Sequence, residues 1–363
     1  MKPGGIGTVV ETFSRPEELR TLVPQWEALA AEAADANPFY EPWMMLPALE
    51  AFGAEGLRCV AVWEDGTLGA IFPLQLERRW RGLPVRALRS WRHRNMLACT
   101  PLVRAKTAAK CIGALLQAKL APVIEFDWTG ADGFFYGALA EAASAARLPW
   151  LVTDAYARAI LVRGRDPRAR FNSNMRNNLK RWESRLRAAG KLEPVRLEPG
   201  GDLERWTREF MALEASGWKG KAGTALSCRE DDRRFVAAAF PEGFRRGKLH
   251  ITGLDLDGKP LSRHLYVGSD DGAFTLKIAY DEAHASCSPG IVGEADNARQ
   301  FQERSGPQWL DSNTAAENTS YGRVWKDRRT VQRVAVGLSG TGRLAVAALP
   351  LVRAAKNGVR RRA

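Results

Sequence analysis

The feature that most constrains this chain is a strand, a turn and a helix that follow one another directly. Residues 272–280 have the pattern of a strand, residues 281–290 are rich in turn-forming types, and a helical pattern continues to about residue 304. Ser288 suits the N-cap and Pro289 suits the first helical position. A helix that begins in such a loop presents free N–H groups and a positive dipole end, which favour a phosphate or pyrophosphate. An ordinary connection that binds nothing is the alternative.

Charge and cysteine content narrow the class of protein. The 363 residues include 54 Lys and Arg against 41 Asp and Glu, a formal net charge of +13. This excess predicts an anionic partner: a nucleotide-bearing cofactor, an anionic membrane face or nucleic acid. Five cysteines without a C-x-x-C pair, and four histidines without ligand spacing, argue against a disulfide framework or a metal site.

Hydropathy gives an expectation about location. No apolar run reaches the roughly 18–20 residues of a membrane span, and the N-terminus lacks the pattern of a signal peptide. We therefore expect a cytoplasmic protein, which a basic surface could bring to the inner membrane as a peripheral protein.

The periodicity of apolar residues predicts an α/β fold with mixed, partly antiparallel sheets. The same order of elements, namely helices, a hairpin, a strand and a helix, occurs twice along the chain. This repeat predicts an N-terminal domain at 1–165 and a C-terminal domain at 166–337, and a basic amphipathic tail is predicted at 338–363. The predicted helices cover residues 16–34, 41–52, 107–119, 133–146, 166–189, 202–216, 231–240 and 290–304. The predicted strands cover residues 57–63, 68–76, 123–128, 150–153, 159–162, 249–255, 261–267, 273–280, 309–311 and 331–336.

Several segments occur in an order that resembles a known family. They are residues 213–226 (LEASGWKGKAGTAL), 277–281 (KIAYD), 288–290 (SPG) and 321–325 (YGRVW), with 37–43 and 99–102 earlier in the chain. Together they resemble the GNAT-type acyltransferases of the CelD-like group, which are related to the FemAB peptidyltransferases. The resemblance covers about residues 35 to 335.

The resemblance implies two tandem GNAT-like domains with one working site, mainly in the second. It implies that the pyrophosphate of acyl-CoA lies on the turn after the fourth strand, where this chain has Ser288, Pro289, Gly290, Ile291 and Val292. The reaction implied is acyl transfer from a thioester to an amine by direct attack. The chain departs from the family in having Ser-Pro-Gly in place of a glycine-rich loop, and a more polar late loop at 311–318.

Acyl transfer needs a neutral amine, a polarised thioester carbonyl and a proton for the leaving thiolate. Tyr280 and Asp281 lie at a strand end, where ligands collect in such sheets. Tyr280 could protonate the thiolate and Asp281 could take the ammonium proton, although Asp281 also suits a turn. Lys277, which interrupts an apolar pattern, either enters a cleft or lies on an exposed edge. Asp311 is a second candidate base.

Further side chains are candidates for contacts with the substrate. Lys219 lies beside glycines and could bind phosphate or the acceptor, with a solvated lysine as the alternative. Trp218 either walls an acyl channel or belongs to the core. Ser312 and Asn313 could position the acceptor, and His93, in a basic loop of the first half, could reach the site across the domain interface.

The sequence therefore predicts an N-acyltransferase that uses acyl-CoA, or an acyl carrier protein, as donor. The acceptor would be an amine of a lipid, such as the sphingoid base of bacterial ceramide synthesis, or of a cell-envelope sugar. The tail could lie on an anionic membrane, or be solvated. One rival is a FemAB-like transferase that uses aminoacyl-tRNA; apart from that, no nucleic-acid partner is expected. The other is a non-catalytic accessory protein of polysaccharide or lipid biosynthesis.

Overall fold

The computed structural model describes residues 7–269, 271–303 and 305–360, with side chains up to residue 351. Helices and strands alternate as predicted, so the mixed α/β class is confirmed. The strands are β1 Thr8–Phe13, β2 Leu57–Glu64, β3 Thr67–Glu77, β4 Ala87–Ser90, β5 Leu102–Val103, β6 Val123–Gly130, β7 Trp150–Val162, β8 Leu192–Arg196, β9 Leu249–Leu256, β10 Lys259–Gly268, β11 Gly272–Tyr280, β12 Trp309–Asp311 and β13 Asp327–Gly337. The helices are α1 Pro16–Arg20, α2 Val23–Ala31, α3 Pro42–Phe52, α4 Ala108–Gln117, α5 Phe134–Ala145, α6 Ser173–Ala189, α7 Leu203–Ser216, α8 Trp218–Lys221, α9 Glu230–Arg245, α10 Pro289–Glu303 and α11 Gly340–Arg360.

Across the described residues the thirteen strands join one sheet. Its order is β1-β2-β3-β4-β6-β13-β7-β12-β11-β10-β9-β8, and β5 pairs with β3. The late strand β13 lies between β6 and β7, and β12 pairs with the other side of β7. Strands from late in the chain thus complete the sheet of the first half. The division at 1–165, 166–337 and 338–363 stays a prediction, and the sheet is continuous across its first boundary.

The two halves also share a hydrophobic core. Helix α3 of the first half packs against α9 of the second, and Trp43 lies so close to Gly243 that a Cβ there would be 2.5 Å from its Cζ3. Leu49, Phe235 and Leu276 belong to the same buried cluster. Because burial of apolar surface is the main favourable term in folding, this shared core holds the halves together beside the site described below.

Some predicted elements differ from those observed, for identifiable reasons. The predicted helix at 16–34 is broken before α2, where Pro24 supplies no N–H for a continuous helix. The helix predicted from residue 166 begins at Ser173, because the Asn172 side chain accepts the N–H of Met175 as an N-cap. The two strands predicted at 150–153 and 159–162 form one strand, since β13 pairs with β7 from Trp150 to Ile160.

Strands β11 and β12 separate after a short parallel contact. They pair at Gly272–Trp309, Ala273–Leu310 and Phe274–Asp311 and no further. Beyond Phe274, β11 is left without a strand partner on this side among the described residues. A β-bulge also interrupts its pairing with β10, because Leu265 lies opposite Lys277 while Tyr266 lies opposite Thr275. The separation opens a gap in the sheet between β11 and β12.

The predicted tail contains α11, which starts soon after β13. Val346 and Leu349 are buried against Trp80 and Val123 of the first half, whereas Leu344 and Leu351 are exposed. The basic side chains that the sequence places after residue 351 lie outside the described side chains. None of the described helices is both long and apolar enough to cross a membrane.

Candidate functional site

A cavity of about 640 Å³ lies where β11 and β12 separate. Its walls come from β11, the region of α8, the start of α10, the loop after β12 and the loop at 94–97 of the first half. Nine predicted site residues line it: Trp218, Lys219, Lys277, Tyr280, Ser288, Gly290, Ile291, Ser312 and Asn313. Five do not: Pro289, Val292, Asp281, Asp311 and His93. The gap in the sheet therefore brings most of the predicted residues together.

The start of α10 is built differently from the expected cap. Ser288 has a left-handed backbone with φ 46°, and its carbonyl, rather than its hydroxyl, accepts the N–H groups of Ile291 and Val292 at 2.9 and 3.0 Å. Pro289 and Val292 are buried beneath the first turn. The N–H of Gly290 has no acceptor among the described residues, so it remains available to an anionic ligand.

We expect Gly290→Ala to weaken binding of a donor at this turn. A Cβ at Gly290 would lie 2.9 Å from Cδ1 of Tyr280, so the ring or the turn must move. The expected result is a rise of about tenfold in the KM for the acyl donor, a loss of about 1.4 kcal/mol. Steady-state kinetics would show this, with Gly137→Ala, a helical position whose Cβ meets nothing within 4 Å, as the matched control. An unchanged donor KM would place the donor elsewhere.

The β-bulge determines where Lys277 points. Without it, Leu276 and Ile278 would share a face and Lys277 would lie opposite. With the bulge, Leu276 packs in the core beneath α7 and Ile278 packs with α10, while Lys277 reaches Glu214 of α7. Strict alternation along the strand would therefore place Ile278 on the wrong face. Of the two alternatives for Lys277, the structure shows the cleft.

Lys219 and Lys277 converge on one buried carboxylate. Their Nζ atoms lie 3.4 and 3.2 Å from Oε1 of Glu214, whose Oε2 accepts the N–H of Leu226 at 2.7 Å. Burial lowers the pKa of Lys219 below its usual value, and Glu214 partly opposes that shift. Trp218 beside them is 55% exposed, so it is a wall residue and not part of the core.

Neither predicted aspartate lies in the cavity wall. The Asp281 carboxylate accepts the N–H of Ala283 at 2.9 Å, which is the turn-forming role that the sequence left open. Asp311 is fully buried in an ion pair with Arg158 of β7, at 2.6 Å from its Nε. A carboxylate held in this way is poorly placed to accept a proton from an amine in the cavity. The structure gives no support to either as the catalytic base.

Asp311 instead positions the loop that follows it. Its Oδ1 accepts the N–H of Asn313 at 2.8 Å. The Asn313 side chain accepts the N–H of Leu97 at 2.9 Å and donates to Thr275 of β11 at 3.1 Å. Ser312, also in the wall, bonds Thr314 through its hydroxyl. Asn313 thus ties the first-half loop to the strand that borders the gap.

The prediction that His93 reaches the site is not supported. Its ring is buried, stacks on Phe52 at 4.5 Å and lies 5.3 Å from Phe235. Burial lowers the pKa of His93 to about 3, and Arg94 and Arg92 add to the shift. Its neighbours Arg94 and Asn95 line the cavity in its place.

His93 predicts a pH dependence of stability. The unfolded side chain, with a pKa of about 6.5, takes up a proton as pH falls, while the folded one stays neutral until about pH 3. Stability is therefore lost with falling pH: from pH 7 to 5 the wild type should lose about 2 kcal/mol more than His93→Phe. Urea unfolding of both proteins at both pH values measures this. Equal losses would show that His93 is not held neutral.

Glu294 and Tyr321 also line the cavity, although neither was among the predicted site residues. The Glu294 carboxylate, 3% exposed, bonds Nδ1 of His264 at 2.9 Å and accepts from Nε1 of Trp325 at 2.8 Å and Nδ2 of Asn297 at 3.1 Å. Burial raises the pKa of Tyr321 well above its usual range, and the charge of Glu294 adds to this. Glu294 lies four positions after Gly290, so the two residues share one face of the helix. This spacing could have identified Glu294 as a site residue from the sequence.

No metal site emerges from the geometry. Within the described ranges, no group of three or more His, Cys, Asp or Glu side chains is arranged to hold a metal ion.

Comparison with known families supports an acyltransferase. Residues 173–322 match the family model described as "Acetyltransferase (GNAT) domain". The segment includes Trp218, Lys277, Glu294 and Tyr321. The match confirms a GNAT acyltransferase domain over these residues, and the narrower resemblance to the CelD-like group stays a prediction. No curated protein sequence gives a significant match.

Solved structures show the same fold over nearly the whole chain. FemX is similar with a TM-score of 0.53 and 11% identity, over 87% of this chain and 96% of that chain. A conserved protein of unknown function from Bacteroides thetaiotaomicron gives 0.53 and 12%, over 90% and 100%. The C-terminal domain of a putative lysylphosphatidylglycerol synthetase from Agrobacterium fabrum gives 0.50 and 11%, over 90% and 95%. At such identities the likeness concerns the fold alone.

Proposed function

We propose that the protein is an N-acyltransferase that moves an acyl group from acyl-CoA to the amine of a lipid or a cell-envelope sugar. The observation that carries this is the cavity beside the gap between β11 and β12. The start of α10 borders it on one side, and the group formed by Trp218, Lys219 and Lys277 borders it on the other. A donor and an acceptor can therefore meet at the gap from different directions.

Three features favour an acyl-CoA donor. The N–H of Gly290 and the positive end of α10 suit a pyrophosphate. Arg229 and Arg323 line the cavity, and no described carboxylate lies within ion-pair distance of either. Beyond Phe274, β11 has no strand partner on this side among the described residues. Its backbone groups other than the carbonyls of Thr275 and Ile278, which accept from Asn313 and Lys219, can bond the amide groups of the pantetheine arm as an added strand would.

The chemistry requires little more than positioning and hydrogen-bond donors. The nitrogen of the neutral amine attacks the thioester carbonyl, the C–N bond forms and the C–S bond breaks. The CoA thiolate leaves and takes up a proton from solvent, in exchange for the proton that the amine nitrogen loses to solvent. Tyr321, in the wall, keeps its proton because its pKa is raised, so it is suited to donate a hydrogen bond to negative charge on oxygen or sulfur. We assign this role to Tyr321 rather than Tyr280.

A lipid acceptor accords with the surface of the chain. Leu344 and Leu351 of α11 are exposed apolar side chains, and the sequence beyond them is basic. Such a segment can bind an anionic membrane face, which would place the protein at the inner membrane as a peripheral enzyme.

Thiol release from acetyl-, octanoyl- and palmitoyl-CoA, with and without a long-chain amino alcohol, tests the proposal. Release that requires the amine supports it, and dependence on a long acyl chain supports the lipid version. Thiol release that is the same with and without the amine, or no release from any donor, would contradict the proposal.

The likeness of fold to FemX favours one alternative, the FemAB-like transferase that uses aminoacyl-tRNA. This alternative predicts transfer from charged tRNA and none from CoA thioesters. It also predicts tRNA binding that weakens steeply as salt is raised, because phosphate contacts release counterions. Filter binding at several salt concentrations distinguishes it from the acyl-CoA enzyme.

A further inference from the structure

Two ammonium groups share one carboxylate at the wall of the cavity. Lys219 and Lys277 both contact the same oxygen, Oε1 of Glu214, and the other oxygen is occupied by the N–H of Leu226. The Glu214 side chain is 0% exposed. No other described carboxylate lies within ion-pair distance of either lysine. The cluster therefore keeps an excess positive charge that faces the cavity.

Each lysine also keeps an unused hydrogen-bond donor. Besides Glu214, Lys219 Nζ donates to the carbonyl of Ile278 at 2.5 Å, and Lys277 Nζ donates to the carbonyl of Thr224 at 2.9 Å. An ammonium group has three N–H donors, so one remains on each. The side chains are only 24% and 15% exposed, and water compensates an unused donor poorly at such depth.

The charges around Lys219 make the site receptive to an anion. Burial and the nearby Lys277 both disfavour its protonated form, whereas the Glu214 carboxylate favours it. A bound anion would add a second favourable charge and would lessen the repulsion between the two lysines. Charge-assisted hydrogen bonds to a carboxylate or phosphate are also stronger than neutral ones.

We propose that Lys219 and Lys277 together bind an anionic group, a carboxylate or a phosphate, that the acceptor carries beside its amine. The inference rests on the proposed function and narrows its substrate class to anionic amines. The acceptor side is assigned because Lys277 faces α7, whereas the donor elements of α10 pack on the opposite face with Ile278. The anion would hold the amine near the gap, where the donor carbonyl lies.

Three small primary amines test the proposal with the full chain: ethanolamine, glycine and O-phosphoethanolamine. They share an amine and differ in carrying no anion, a carboxylate or a phosphate. With a CoA thioester as donor, we expect kcat/KM for glycine or O-phosphoethanolamine to exceed that for ethanolamine by about tenfold or more. The better of the two anionic amines identifies the group.

Variants separate the anion site from a merely structural role. Lys277→Gln should reduce the preference to below about threefold and raise the KM of the anionic amine, without changing the KM of acyl-CoA. Lys277→Arg, which keeps the charge, should retain the preference. Lys221→Gln is the control, since Lys221 is on α8 but 77% exposed and outside the cavity wall. A rise in the KM of acyl-CoA alone would assign the lysines to the donor and overturn the proposal.

Calorimetric binding of the same three amines, without donor, keeps the test independent of turnover. If no thioester supports thiol release, the proposed function fails. The anion site is still supported if the wild type binds an anionic amine more tightly than ethanolamine, and if this preference is lost in Lys277→Gln and kept in Lys221→Gln. Equal binding of all three amines by the wild type, or the same preference in both variants, overturns it.

Discussion

Asp311→Ala is expected to lower the free energy of unfolding by about 3–5 kcal/mol. The substitution leaves Arg158, 4% exposed, with a buried charge and with none of the other described carboxylates at hydrogen-bond distance. It also removes the acceptor for the N–H of Asn313, which joins the first-half loop to β11. Because the lost charge pair connects β7 with β12, the damage should reach the junction of the halves.

Urea unfolding of Asp311→Ala against wild type measures the loss, with Asp132→Ala as the matched control. Asp132 is 69% exposed, and its carboxylate forms a loose ion pair with Arg329 at 3.6 Å. Its removal should therefore change the free energy of unfolding by less than about 0.5 kcal/mol. A double variant, Arg158→Met with Asp311→Leu, should recover part of the loss because no buried charge is left alone. A loss below about 1 kcal/mol in Asp311→Ala would contradict the role given to the pair.

Tyr321→Phe is expected to lower kcat about 100-fold while the fold is retained. Tyr321 lines the cavity, and its raised pKa means that its hydroxyl donates a hydrogen bond without losing its proton. Removal of one hydrogen-bond donor that stabilises charge in the transition state typically lowers kcat by a factor of about 10²–10³. The aromatic packing of Tyr321 on Trp325, with ring centroids 4.8 Å apart, remains in the variant.

Single-turnover kinetics compares this variant with two others. Tyr136→Phe, whose ring packs against Trp150 away from the cavity, should leave kcat unchanged. Tyr280→Phe tests the residue that the sequence alone favoured and should change kcat by less than about threefold. A larger loss in Tyr280→Phe than in Tyr321→Phe would return the role of hydrogen-bond donor to Tyr280.

Local patterns predicted most elements of the fold but not how they meet. The hairpin of β2 and β3, the strand β11 and the helix α10 follow from periodicity and turn residues that lie close together in sequence. The insertion of β13 between β6 and β7 depends on pairing between segments about two hundred residues apart, for which a single sequence carries no signal. The bulge at Leu276 likewise follows from pairing with β10, and it reverses the face of Ile278.

In the candidate site, too, features that depend on local sequence were predictable and those that depend on long-range packing were not. Residues next to the strand, turn and helix, such as Lys277 and Gly290, were predicted because their positions are local. Arg94 and Asn95 come from another half of the chain and depend on tertiary packing. Asp311 ends a strand, as a catalytic residue could, but its buried partner Arg158 is 153 positions away, so its ion pair was not foreseeable.

The central claim is that the cavity between β11 and β12 joins an acyl group to an amine. Mass spectrometry of a reaction with purified protein, palmitoyl-CoA and a primary amine tests it most directly. The account predicts an amide whose mass equals the amine plus the acyl group, formed in equal amount to the released thiol. Thiol release without an amide, or an amide formed from charged tRNA and from no CoA thioester, would contradict it.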